Sequence, residues 1–137
     1  MDKRLFFLMN MAQHRVYKFA DTESVKRLGI PVTQVAAMLY VAKHEGCLQK
    51  DLSQALGLNN SAVTGLAGRM EGNELIERKP CELDGRATRL YLSEKGRDIL
   101  PQVFPLSREL SDRMSEDFSD EEMEIVIRFL NQMLERF

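Results

Sequence analysis

Apolar residues recur at helical steps almost from the first residue of this chain. Leu5, Leu8, Met9, Ala12, Val16 and Phe19 lie three or four positions apart, which predicts an amphipathic helix over residues 2 to about 20. Phe6, Phe7 and Met11 widen its apolar surface beyond one stripe, while His14, Arg15 and Lys18 form a polar side. A surface that broad needs cover, either from a second subunit or from the chain's own core. Residues 21–28 read as a polar connection, partly helical, broken at Gly29-Ile30-Pro31. A second helix is predicted over residues 32–44, with Val35, Ala36, Leu39, Val41 and Ala42 inward and a stop at Gly46.

The middle of the chain is the most informative. Gly57 separates two short apolar-periodic segments, Leu52, Ala55 and Leu56 before it and Val63, Leu66, Ala67 and Met70 after it. Asn59 is placed to cap the second segment, because its side-chain carbonyl can accept from a free N–H in the first turn. That leaves Asn60, Ser61, Thr64, Gly65, Gly68 and Arg69 exposed, a small polar face with a cation at its far end, suited to base edges in a major groove. Two β-rich stretches come next, residues 75–79 and 86–92, joined by a polar loop containing Asp84-Gly85, and they predict a β-hairpin. A helix-turn-helix followed by a basic hairpin is a winged helix, so the expected fold is mainly α with a small β-hairpin wing.

Past the wing, Ser93 is placed as a cap, and Ile99, Leu100, Val103, Phe104, Leu106, Leu110 and Met114 continue at helical spacing. Pro101 and Pro105 fall inside that helix and are expected to bend its N-terminal third. Ser119-Asp120-Glu121-Glu122 is a capping box, and Met123, Val126, Ile127, Leu130, Met133, Leu134 and Phe137 form the last apolar stripe.

Charge modifies this picture more than composition does. The 137 residues suit one domain with one main core, and the net charge is −2. Residues 1–47 carry +3, residues 48–95 balance at zero and residues 96–137 carry −5. The acidity therefore falls outside the helix-turn-helix and wing. Attraction for phosphate has to come from placement, with Arg78, Lys79, Arg86 and Arg89 gathered on the wing and Lys50 near a helix N-terminus. No apolar run reaches the roughly 20 residues of a membrane span, and the N-terminal LFFLM is too short for a signal-peptide core, so a cytoplasmic protein is expected. Two cysteines, Cys47 and Cys81, make no disulfide framework.

The run LQKDLSQALGLNNSAVTGLAGRMEGNELIERKPCELDGRATRLYLSEKG resembles the MarR family of bacterial transcriptional regulators. The resemblance rests on the Leu-Gly turn, the Val-Thr pair, Leu-Ile before the wing, Asp84-Gly85-Arg86 within it and Leu92-Ser93-Glu94-Lys95-Gly96 after it, and extends less specifically to the flanking helices. It implies a single MarR-like domain with a winged helix-turn-helix DNA-binding lobe, about residues 31–96, and a helical dimerisation lobe, about residues 1–30 and 97–137. In that arrangement the first helix and the last two intertwine with those of a second subunit. It further implies a homodimeric regulator, in the first instance a repressor, bound to a pseudo-palindromic duplex. Asn60, Ser61, Ala62, Thr64 and Gly65 would meet the major groove, Arg69 and Lys50 the phosphates, and Arg86 the minor groove, with Asp84 orienting the hairpin. Relatives respond to small aromatic or phenolic anions, for which Arg15 and His14 are the candidate anchors.

Three positions depart from the family pattern. Leu48 replaces a common capping Thr, Gly65 stands where a basic residue is common, and Glu74 occupies the site of a helix-ending glycine, for which Gly72-Asn73 could supply the turn earlier. Gly65 and Gly68 admit two readings, close backbone approach to DNA or tolerated weak positions on an exposed face. The Asp84-Gly85-Arg86 turn likewise is either a minor-groove probe or a solvated turn with an ion pair.

No phosphate-cradling glycine loop, paired-His metal motif or nucleophile elbow occurs, so neither an enzyme nor a bound cofactor is expected. His44 and Cys47, with His14 or a carboxylate, are weaker evidence for a metal than for a helix-end His beside a buried Cys. Of the two thiols, Cys81 beside Arg78 and Lys79 better fits the exposed, electropositive setting a reactive cysteine needs, though an incidental role accounts for both. The neutral charge of residues 48–95 also suits a different class of function, a winged-helix module that binds a protein partner without specific DNA contact.

Overall fold

The computed structural model describes all residues 1–137, which fold into six helices and three short strands. They divide into two compact units, Met1–Phe104 and Pro105–Phe137.

In the first unit, α1 runs without a break over Leu5–Leu28 and ends at Gly29. The predicted polar connection at residues 21–28 is instead the last part of this helix. Its polar residues anchor the segment that leads into the second helix: the buried Ser24 hydroxyl donates to the Ile30 carbonyl at 2.6 Å, and Asp21 Oδ1 accepts from the Val32 N–H at 2.9 Å. Helix α2, Val32–Lys43, starts at Pro31, which has no side-chain acceptor, so Asp21 caps it from eleven residues away. Val35 and Val41 are buried on α2 as expected, but Ala37 and Met38 join them, while Ala36 is exposed and Leu39 and Ala42 are half-buried. This helix packs on α1, on the helix over Gln49–Leu56 and on the strand over Thr88–Leu92, which makes its burial broader than one stripe.

A two-residue strand, β1 (Cys47–Leu48), precedes α3, Gln49–Leu56. Leu48 supplies no side-chain cap to α3, as expected, but Asp51 Oδ2 reaches back to accept from the Leu48 N–H at 3.0 Å. Gly57 then takes a left-handed conformation (φ +65°), which turns the chain sharply between the two helices. Ser53 closes that turn, its hydroxyl donating to the Leu58 carbonyl at 2.7 Å. Helix α4, Asn60–Gly72, opens with Asn59 Oδ1 accepting from the Ala62 N–H at 2.8 Å, and it buries Val63, Leu66, Ala67 and Met70.

The end of α4 differs from expectation. Gly72 and Asn73 are not left-handed; Glu74 is, at φ +60°. The Glu74 N–H donates to the Glu71 carbonyl and the Leu75 N–H to the Met70 carbonyl, both at 2.9 Å, which is the hydrogen-bond pattern of a helix closed by a left-handed residue. It delivers Leu75 directly into the core, 1% exposed. The residue there carries a Cβ nonetheless, at a cost of roughly 1–2 kcal/mol.

Strands β2 (Ile76–Pro80) and β3 (Thr88–Leu92) form the predicted hairpin, with Arg78 opposite Leu90. Beyond prediction, β1 joins the other edge of β3 and gives a three-stranded antiparallel sheet in the order β1-β3-β2. Helix α5, Glu94–Ser115, begins where the Ser93 hydroxyl accepts from the Gly96 N–H at 2.9 Å and continues through Pro101 and Pro105. Gly96 is buried against the start of the sheet: a Cβ there would stand 2.2 Å from the Leu75 carbonyl oxygen. One core joins these pieces, with Met38, Leu52, Leu66, Met70, Leu75 and Leu90 almost fully buried. Each such side chain removed from water contributes about 1.5–3 kcal/mol.

The second unit holds the end of α5 and α6, Asp120–Arg136. The capping box is formed as expected: the Glu122 N–H donates to Ser119 Oγ and the Ser119 N–H to Glu122 Oε2. No residue of α6 is buried; of its apolar stripe Val126, Ile127, Leu130 and Leu134 are exposed and Met123 and Met133 half-buried, and Ile125 beside it is exposed as well.

Candidate nucleic-acid interface

Helix α4 buries one side and offers the other. Asn60, Ser61, Ala62, Thr64 and Arg69 are exposed, and Gly65 is half-exposed. The sequence dictates this division, since the apolar residues at 63, 66, 67 and 70 fix which side turns inward. Gly65 has a neighbour the sequence did not reveal. A Cβ built on it would lie 3.2 Å from Arg69 Nη1, so the Arg69 guanidinium lies back along the helix over the space the glycine leaves.

Thr64 is held by two hydrogen bonds. Its hydroxyl donates to the Asn60 carbonyl at 2.7 Å and accepts from Gln49 Nε2 at 3.0 Å. Gln49, first residue of α3, was not among the sequence-predicted site residues. A Gln one turn ahead of an apolar run carries no signal of a cross-helix bond; only the packing of α3 on α4 brings it to Thr64. Lys50 is its neighbour along α3, exposed and without an ionic partner.

The wing's cations fall into two classes. Arg78 is paired with Glu71 at 3.0 Å, and its guanidinium draws the Glu71 carboxyl below the ordinary carboxylate range. Lys79 sits over the Tyr91 ring, 4.9 Å from its centroid, and Arg89 donates to the Gly46 carbonyl at 2.7 Å. Those three are engaged within the fold. Arg86 is exposed at the wing tip and has no acidic partner, because Asp84 Oδ1 accepts instead from the Arg86 backbone N–H at 3.0 Å. The Ala87 N–H also donates to the Asp84 carbonyl at 3.0 Å and the Cys81 N–H to the Ala87 carbonyl at 2.9 Å, so Asp84 shapes the turn and leaves the guanidinium free. Beside it Leu83 is 93% exposed.

Glu45 is a second residue the sequence left unmarked. Its carboxylate accepts from the Leu92 N–H at 3.2 Å and pairs with Arg97 at 3.4 Å, tying the end of β3 to α5. The side chains of His14 and Arg15 are exposed on α1. A small cavity of about 120 Å³ opens elsewhere in the first unit, among Leu28, Gly29, Ile30, Asn73, Leu75, Lys95 and Ile99.

The cysteines differ from each other. Cys47 is half-buried in β1, and burial, with Asp51 and Glu45 nearby, pushes its thiol up to about 11. Backbone N–H groups of Asp84 and Leu83, and then Arg89, draw the Cys81 thiol below its ordinary range. Neither Arg78 nor Lys79 is what lowers the Cys81 thiol, and the exposure expected of a reactive cysteine is missing, since the residue is 6% exposed. His44 packs its ring on Tyr40 at 4.6 Å between centroids, and no three His, Cys, Asp or Glu side chains gather as a metal site. No helix is long and apolar enough to cross a membrane.

Residues 28–87 match the model of the MarR family. The HTH-type transcriptional regulator YsmB of Bacillus subtilis is 35% identical over 83 residues, an alignment covering 61% of this chain and 57% of that protein. The chain is also similar over 98% of its length to the HTH-type transcriptional regulator MgrA of Staphylococcus aureus, at 24% identity and 90% coverage of MgrA. Among solved structures, S. aureus MepR in complex with DNA superposes with a TM-score of 0.91 at 23% identity, covering 99% of this chain and all of that one. At that identity the likeness is one of fold.

Proposed function

We propose that the chain is a winged-helix transcriptional regulator of the MarR family, a homodimeric repressor that reads a pseudo-palindromic DNA duplex. In this reading residues 31–96 form the DNA-binding lobe, and residues 1–30 and 97–137 assemble with those of a second copy. Asn60, Ser61, Ala62, Thr64 and Gly65 face base edges, Arg69 and Lys50 meet phosphates, and Arg86 enters the minor groove, whose negative potential favours a guanidinium. Arg78, Lys79 and Arg89 act through the wing they brace, adding positive charge beside the backbone.

The observation that carries the reading is the free Arg86 at a tip shaped by Asp84. In an ion-paired, solvated turn the guanidinium would be engaged by the carboxylate. Dimerisation is supported by apolar side chains without cover on α1 (Leu5, Phe6, Phe7) and on α6 (Ile125, Ile127, Leu130, Leu134). A protein-binding winged helix is the second reading, favoured by the zero net charge of residues 48–95 and by the internal engagement of Arg78 and Arg89.

Selection of bound sequences from a random duplex pool, followed by salt titration, separates the two. DNA reading gives a recurring two-fold symmetric site, half-sites about 10 base pairs apart or a multiple of that, and affinity that falls steeply with salt. Inserting about five base pairs between half-sites rotates one by half a turn and abolishes tight binding. Arg86→Ala weakens selected and random duplex alike and flattens the salt slope. A pool with no recurring site and no salt dependence would favour the protein-binding module. Release by a small aromatic or phenolic anion anchored at Arg15 and His14 is part of the proposal: salicylate weakens duplex binding by the full chain and does less to Arg15→Ala. Equal responses in both proteins remove these two anchors.

A further inference from the structure

The hydrogen bonds around Thr64 limit which bases it can read. A hydroxyl has one proton and two lone pairs. The Thr64 proton is committed to the Asn60 carbonyl at 2.7 Å, and one lone pair is taken by Gln49 Nε2 at 3.0 Å. What remains outward is one lone pair and the γ-methyl. In a major groove the exocyclic amines of adenine and cytosine donate, whereas guanine O6 and thymine O4 accept. We propose that Gln49 and Asn60 fix Thr64 as an acceptor-only reader, so that in each half-site it contacts the exocyclic amine of adenine or cytosine and not guanine O6 or thymine O4.

Gln49 has a cost that identifies its role. Its Oε1 is shut off from solvent and has no hydrogen-bond partner. Turning the amide over would bring Oε1 against a threonine oxygen whose proton already points at Asn60, lone pair to lone pair, and would orphan the amine in its place. The orientation with Nε2 on Thr64 is therefore the better of the two, and the buried carbonyl is left unsatisfied in order to hold that hydroxyl. Gln49 is thus a positioning residue acting through Thr64, and its replacement by an apolar side chain moves stability and specificity in opposite directions.

The inference rests on the DNA-reading proposal, and its test keeps the two apart. With the full chain and a duplex selected from a random pool, each adenine in the half-site is replaced by purine and each cytosine by 2-pyrimidinone, changes that delete the exocyclic amine. One position per half-site is expected to lose about tenfold in affinity with the wild-type protein. Thr64→Val, which keeps the shape but not the hydroxyl, binds the intact duplex about as weakly as wild type binds the deleted one, and shows no further loss at that position. Thr64→Ser keeps the preference. Gln49→Leu melts at a higher temperature than wild type yet discriminates less there, an outcome a merely structural glutamine would not give. The inference is overturned if every amine deletion that weakens binding by wild type weakens binding by Thr64→Val just as much, if the position affected by Thr64→Val responds to removal of guanine O6 or thymine O4 and not of an amine, or if Gln49→Leu loses stability and keeps discrimination. Wild-type protein that selects no sequence at all overturns the DNA-reading proposal itself.

Discussion

Helices α4 and α6 are similar in kind, each opened by a formed cap and each apolar along one side, yet they meet opposite fates. Helix α4 places Val63, Leu66, Ala67 and Met70 among α2, α3 and the sheet and leaves them 2% exposed or less. Helix α6 buries nothing in its own unit, and Leu130 and Leu134 stand 44% and 82% exposed. Amphipathic pattern and capping are therefore enough to make a helix but not to say what it packs on. The first unit completes a core from its own residues, whereas the second leaves apolar side chains exposed. On the homodimer reading, another copy covers them.

The sharpest way to break this contrast is to remove residues 119–137. Without α6, the exposed side of α1 loses its proposed cover, and the truncated protein is expected to aggregate or to lose the dimer, as read by light scattering and sedimentation. A soluble, folded dimer after truncation would show that α6 is not what the apolar surface of α1 awaits. Next in size is Met70→Ala in the first unit, expected to cost about 2–5 kcal/mol in denaturant unfolding, because Met70 is wholly buried. Leu130→Ala, by contrast, is expected to leave the midpoint of the first unit unchanged and to weaken self-association on dilution. Comparable losses in both variants would erase the distinction between the units.

Gly96→Ala probes the close approach of α5 to the sheet. With the Leu75 carbonyl oxygen 2.2 Å from the added Cβ, backbone has to move, and a loss of about 1–3 kcal/mol is expected. Glu74→Gly goes the other way. It relieves a left-handed glutamate and should raise stability by roughly 1 kcal/mol, with little effect on self-association. A destabilised Glu74→Gly would mean that the Glu74 side chain, 3.9 Å from Lys95, outweighs the strain.

The smallest effect is chemical. Both cysteines lie in the first unit, so thiol labelling reports on its packing alone. With its thiol held near 11, Cys47 is mostly protonated at pH 8 and is expected to alkylate about ten to a hundred times more slowly than a free cysteine. The rate should climb as pH rises toward 11, and mass spectrometry of the Cys47→Ser and Cys81→Ser proteins assigns it. Fast labelling of Cys47 at pH 8 would place it in a looser setting than β1 provides.

Local chemistry was legible in the sequence wherever a residue acts on its near neighbours. Asn59 capping α4, Gly57 turning the chain, Ser93 opening α5, the Ser119–Glu122 box and the apolar faces of α4 and α6 could be read from spacing, because their partners lie within about one helical turn. So could the outward set at 60, 61, 62, 64 and 69, which is the complement of the inward one. Tertiary structure alone decided what depends on distant residues meeting. Residues 21–28 looked like a connection because they are polar, but Ser24 and Asp21 use that polarity to hold Ile30 and Val32. Strand β1 is two residues long, too short for any period, and exists because β3 has a free edge beside it. The inward face of α2 takes in Ala37 and Met38 beside the expected Val35 and Val41 because the helix packs on three elements rather than one. Glu74, and not Gly72 or Asn73, takes the left-handed turn, since Leu75 has to enter the core at once. The division of the wing's cations into engaged Arg78, Lys79 and Arg89 and free Arg86 came from Glu71, Tyr91, Gly46 and the backbone at Arg86, three of them remote or on another element. Gln49 reaching Thr64 across fifteen residues is the same lesson at the reading face. Periodicity and caps encode what one segment does to itself; which hydroxyl is held, which guanidinium is free and which carbonyl is left without a partner depend on how segments pack.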